Sequence, residues 1–228
     1  MAAFALVIGL IGGFQVGQAA SGTDAPSVTP GGPTGTPGPT APVPTAPTPG
    51  RVLLVGDSIL RQVGPPLREV LGPGATVRNR AVNGSGLLTP GFFDWSAHLE
   101  AELGRSPAPE VVVVHFLGNY TGDSDGLWIA DDGTPVAAID DPRFVPEWGQ
   151  EVDALLGRAG SIGARVVLVL PPDVPVPAVQ AVVDRLRDEY RRVAARHPGV
   201  VLVDARAVLV TEGDRAPDGV HLSDRGAA

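Results

Sequence analysis

Val111-Val-Val-Val-His-Phe116 is apolar at every position but His115. Side chains of a strand alternate between its two faces, so such a run is buried on both. That places it at the centre of a parallel sheet covered by helices. Reading outward, Arg51-Val-Leu-Leu-Val55 is a second buried strand and Ala75 to Val82 a weaker third. Arg165 to Leu170 and Val200 to Val203 complete five. Helical spacing fills the gaps between them. Trp148, Val152, Leu155, Leu156 and Ala159 share one face, as do Val179, Val182, Val183, Leu186, Tyr190 and Val193. Pro177 suits a first helical turn, and His197-Pro198-Gly199 ends that helix. Strands alternating with helices predict a three-layer α/β/α sandwich with a five-stranded parallel, flavodoxin-like sheet.

In such sheets ligands bind beyond the carboxyl ends of the strands. The residues just past each apolar run are therefore the candidates. Gly56-Asp57-Ser58 follows the first strand, with Ser58 at the start of a short helix that Gly64-Pro65-Pro66 is expected to interrupt. Asp57 or Ser58 could equally be no more than the cap of that helix. Asn83-Gly84-Ser85-Gly86 follows the second strand, and its glycines let backbone N–H groups approach a ligand. Leu117-Gly118-Asn119-Tyr120 follows the third, where an Asn side chain can face a developing oxyanion or simply form a turn. Near the C-terminus, the spacing of Asp218 and His221 lets one short loop carry a carboxylate and the imidazole it orients. His115, inside an apolar strand, reads as a satisfied core histidine, and His197 as a favourable charge at a helix end.

Together the four blocks resemble those of the SGNH hydrolase superfamily, the GDSL-like esterases and lipases. The resemblance covers residues 51–228. It implies a Ser58, Asp218 and His221 triad. It also implies an oxyanion hole from Ser58, Gly84 (or Gly86 in the alternative register) and Asn119. Block three departs from the common Gly-x-Asn-Asp, reading Gly118-Asn119-Tyr120. Asp57, Tyr120 and Trp128 are the expected substrate contacts. Tyr120 and Trp128 belong to a long loop before Phe144 that holds six Asp and reads as a lid or substrate-binding insertion. Its Asp123-Ser-Asp125-Gly start lacks the Glu that a calcium loop places at its twelfth position.

Residues 1–50 have a different character. Ala2 to Phe14 is uncharged and apolar, the length of a signal-peptide core and short for a membrane span of roughly 20 residues. Small residues at Gly17, Ala19 and Ala20 suit cleavage, so residues 1–20 read as a signal peptide or membrane anchor. Residues 21–50 hold nine Pro and seven Thr with Asp24 the sole charge, and read as a disordered, semi-rigid linker. Export to the cell envelope or the exterior is the expected location. Residues 51–228 form the catalytic domain, expected to be monomeric and to meet the membrane only through the N-terminal segment.

Composition narrows the chemistry. The 228-residue chain carries a net charge of −8, which disfavours nucleic acid as a partner. It has no cysteine, which removes thiolate nucleophiles, disulfides and thiolate metal sites. All 17 basic residues are Arg, which removes a Walker lysine, a Schiff-base lysine and a Ser–Lys dyad. The expected activity is that of a serine esterase. It acts on O-acyl esters, O-acetyl first among them, of a cell-envelope polysaccharide or a small ester, with no metal or cofactor. An O-acyltransferase acting on surface sugars uses the same residues. A non-catalytic carbohydrate-binding domain of this fold would need no intact triad. A receiver-like signalling domain would need a lysine that the chain lacks.

Overall fold

Leu53 and Val55 pack into one hydrophobic core, while Val52 and Leu54 pack into a second on the opposite face of the same strand. The computed structural model describes residues 49–117, 128–129, 135–136, 141–175, 177–207 and 212–228. The strand in question, β1 (Arg51–Gly56), lies in a parallel sheet with β2 (Thr76–Asn79), β3 (Val111–His115), β6 (Arg165–Leu170) and β7 (Val201–Asp204). The order is β2-β1-β3-β6-β7. Every residue of β3 is buried, as its uninterrupted valine run requires.

One face carries α1 (Ser58–Leu71), which inserts Ile59, Leu60, Val63 and Leu67 against Val52, Leu54, Val111 and Val113. The other carries α2 (Trp95–Leu103), α3 (Phe144–Ser161) and α4 (Pro177–Ala194). The apolar stripe of α3 is buried as its spacing predicts, from Trp148 to Ala159. In α4, Val182, Val183, Leu186, Tyr190 and Val193 are buried likewise. Tyr190 ties three elements together. Its hydroxyl accepts from Trp148 Nε1 and donates to the Phe116 carbonyl, each at 2.9 Å. The chain closes with α5 (Asp224–Ala227), capped by Ser223.

Two sequence expectations change. The first helix is not interrupted at Gly64-Pro65-Pro66 but runs through to Leu71. A proline inside a helix removes the N–H that would bond the carbonyl four residues back. For Pro65 that carbonyl is Arg61, and Asn79 Nδ2 donates to it at 2.8 Å in place of the missing group. Gly64 makes room for this, since a Cβ there would lie 2.0 Å from Asn79 Nδ2. The segment before Phe144 also contains a short antiparallel pair, β4 (Trp128–Ile129) and β5 (Pro135–Val136), outside the main sheet. Among the described residues no helix is long and apolar enough to cross a membrane. Residues 1–48, on which the signal, anchor and most of the linker were expected, lie outside the described set.

Candidate active site

The chain leaves β1 between its neighbours β2 and β3, whose connections depart in opposite directions. This is the switch point at which open α/β sheets bind ligands. Gly56 pairs with His115, and a Cβ at Gly56 would lie 2.1 Å from the His115 carbonyl. Only glycine allows the backbone to turn this close to β3. Ser58 then opens α1, with Asp57 as its cap.

His221 joins residues that lie far apart in the chain. Its Nε2 is 2.9 Å from Ser58 Oγ, across 163 positions of sequence. Its Nδ1 is 2.7 Å from Asp218 Oδ2. A carboxylate on Nδ1 makes that nitrogen the donor and leaves the Nε2 lone pair to accept from the serine hydroxyl. Asp218 Oδ1 accepts from the backbone N–H groups of Val220 and His221, both at 2.9 Å. The His221 hydrogen bond, with these two, holds the Asp218 carboxyl at about 2. An ionised carboxylate, the imidazole and a half-buried hydroxyl thus stand in line.

The loop carrying Asp218 and His221 is held on several sides. Arg215 and Leu222 form an antiparallel bridge, closed by Ala216 N–H to the His221 carbonyl and Ser223 N–H to the Asp214 carbonyl. Arg215 Nη1 donates to the Val220 carbonyl at 2.9 Å, and Nη2 donates to the Asp173 carbonyl beyond β6. On the opposite edge the Gln62 side chain of α1 bonds both backbone groups of Leu222.

The glycine loop lies alongside. After β2 the backbone keeps pairing with β1 through Arg80 N–H to Leu54 and Val82 N–H to Gly56. This brings Gly84, at φ +75°, to the carboxyl edge of the sheet. Among the described residues neither the Ser58 nor the Gly84 N–H has a hydrogen-bond acceptor. Phe92, 52% exposed, sets its ring 3.8 Å from the position a Gly84 Cβ would take. Gly86 is buried.

Asp57 is not placed as a substrate contact. It is 1% exposed, and its oxygens accept from Ile59 N–H at 3.1 Å and Leu117 N–H at 2.7 Å. The carboxylate therefore ties the turn before Ser58 to the end of β3. Its burial depends on where β3 ends, which adjacent sequence does not reveal. His115 is buried as expected but only half satisfied. Its Nδ1 meets the Val169 carbonyl at 3.1 Å, while Nε2 has no partner among the described residues. Asn119 and Tyr120 lie outside the described residues, and of Trp128 only the backbone is described. Arg215 and Phe92 had no sequence signal of their own. Gln62 alone offered a hint, standing one helical turn beyond Ser58.

A profile of the family described as "Protein of unknown function (DUF459)" matches residues 51–228. The chain belongs to that family. No curated protein matches the sequence. Solved structures do match in fold. The crystal structure of TesA aligns at 20% identity with TM-score 0.54, over 78% of this chain and 91% of that one. The acetyl xylan esterase AlAXEase aligns at 19% identity with TM-score 0.56, over 78% and 93%. A GDSL-like lipase from Bacteroides thetaiotaomicron aligns at 16% identity with TM-score 0.52, over 77% and 81%. This member of the family thus has the fold of the SGNH, or GDSL-like, esterases and lipases that its four sequence blocks resemble.

Proposed function

We propose that the protein is a serine esterase, with Ser58 as nucleophile, His221 as general base and Asp218 as its orienting carboxylate. The observation that carries this is the single imidazole bonded at one nitrogen to Asp218 and at the other to Ser58. His221 takes the Ser58 proton as Oγ attacks the ester carbonyl, and returns it to the leaving alcohol. Water then attacks the acyl-serine, with His221 again as base, and releases the acid. The N–H groups of Ser58 and Gly84, with the Asn119 side chain, receive the oxyanion. Each such donor is worth roughly 3 kcal/mol in the transition state. Phe92 offers an apolar wall beside them.

The substrate class in this reading is an O-acyl, and first an O-acetyl, ester on a cell-envelope polysaccharide. The esterases and lipases among its fold relatives support the ester, and AlAXEase is itself named an acetyl xylan esterase. The apolar start and Pro/Thr-rich linker support the location. Thirty such residues, at about 3 Å each when extended, could hold the domain several nanometres from a membrane. That reach suits a polymer better than a diffusing metabolite.

The test is fluorophosphonate labelling followed by peptide mass spectrometry, with acetate release from acetylated glycan measured in parallel. Label on Ser58, with Ser58→Ala reducing kcat about 10³-fold or more, is the expected result. Label on another serine overturns the assignment. Transfer of acetyl to glycan in excess of free acetate replaces the esterase with a transferase that uses the same triad.

A further inference from the structure

We infer that Gln62 is a positioning residue of this site: its side-chain amide clamps the backbone of Leu222 and so sets the distance from His221 to Ser58. The inference rests on the serine-hydrolase reading above. Gln62 Nε2 donates to the Leu222 carbonyl, and Gln62 Oε1 accepts from the Leu222 N–H, both at 3.0 Å. The amide thereby acts as a strand one residue long.

The need for it comes from the geometry of the loop. In the bridge between Arg215 and Leu222, the hydrogen bonds on the Arg215 side are made by His221 and Ser223. The N–H and carbonyl of Leu222 itself point to the other side. Leu222 is 4% exposed and packs its side chain among Ile59, Val63 and other residues of the α1 core. Water cannot readily satisfy its backbone there, and a buried unpaired polar group is costly. The Gln62 amide supplies one donor and one acceptor in the required order.

The consequence for chemistry follows from helix spacing. Ser58 and Gln62 stand one turn apart on the same face of α1. They meet consecutive residues of the loop, Ser58 at His221 and Gln62 at Leu222. The internal bonds of the loop, from Asp218 to His221 and from Arg215 to Val220, shape it but do not anchor it to α1. Among the described residues the Gln62 pair is the polar anchor between the two elements beside the serine–histidine contact. A displacement of about 1 Å between reacting groups can cost on the order of 10²-fold in rate.

The test compares the full chain with Gln62→Met and Gln62→Asn. Met keeps the length and loses both hydrogen bonds, and Asn keeps the amide but is one methylene too short. Three quantities are read below the unfolding transition of each variant: the fluorophosphonate labelling rate of Ser58, kcat and KM on p-nitrophenyl acetate, and hydrogen exchange at the Leu222 amide. Both variants should label and turn over at least 10-fold more slowly with KM within about 2-fold, and the Leu222 amide should exchange faster. Either variant labelling within 2-fold of the parent rate overturns the inference and leaves the serine-hydrolase reading intact. Unchanged Leu222 exchange in Gln62→Met also overturns it, because the clamp is then not what holds the loop. Absence of any Ser58 labelling in the parent protein overturns the serine-hydrolase reading, and with it any catalytic meaning of the clamp.

Discussion

Asp218 divides its oxygens between two tasks, one holding the His221 ring and the other holding the turn that carries it. Its carboxyl lies at about 2, below its ordinary 3.8. A depressed carboxyl contributes stability above its unfolded value and loses it as pH falls through the folded one. For Asp218 that window lies between about 4 and 2. Protonation of Asp218 should therefore play no part in any change of kcat above about pH 4. The loss of activity that comes from protonating Asp218 should appear in log kcat only below about pH 4. Asp218→Asn should lower kcat about 10³-fold or more with the protein still folded. A log kcat profile for Asp218→Asn that differs in shape from the parent's between pH 4 and 8 would mean that Asp218 titrates in that range. The Asp218–His221 pair was legible from its spacing. The role of Asp57 was not, because its second partner, the Leu117 N–H, lies 60 positions away.

In α1 the local code and the tertiary outcome disagree. Gly64, Pro65 and Pro66 lower helix propensity by several kcal/mol together, by roughly 1 for Gly and 3 for each Pro. The helix persists because its apolar face is buried and because Asn79 takes over the Arg61 carbonyl. Asn79 can do so only while Gly64 lacks a side chain. Gly64→Ala would raise intrinsic helix propensity, so on local grounds it should stabilise. The structure predicts the reverse. The new methyl displaces Asn79, frees the Arg61 carbonyl and costs about 1–3 kcal/mol of unfolding free energy, measurable by urea titration. A stabilised Gly64→Ala protein would contradict this account.

The fold buries His115 and half-buries His98, and it resists the protonation of both. Burial lowers the affinity of His115 for a proton, with Asp57 opposing that shift and the Val169 carbonyl also opposing it. Burial likewise lowers that of His98, opposed by Glu102. Both rings bind protons more readily in the unfolded chain, so stability should rise with pH through about 6.5 and fall on the acid side. One proton taken up on unfolding corresponds to roughly 1.4 kcal/mol per pH unit at full slope. Tm followed from pH 8 to pH 5 should decline, and His115→Gln should flatten the decline whatever its effect on Tm at pH 8. An unchanged slope would remove His115 as its source.

The order of elements and the chemistry at the strand ends follow from local pattern. Burial on both faces of Val111–His115, the helical stripes of α3 and α4, the placement of Ser58 just past an apolar run and the short spacing of Asp218 and His221 are visible in sequence because each depends on neighbours within a turn or a pleat. The rest depends on contacts between segments that sequence does not put side by side. The continuation of α1 past two prolines needs Asn79 from β2. The burial of Asp57 needs the end of β3. The seating of His221 against Ser58 has Gln62 and Arg215 at the edges of its loop, each bonding backbone groups rather than side chains. Backbone groups are the same at every residue and carry no sequence signature, so only the folded arrangement reveals which side chain satisfies them.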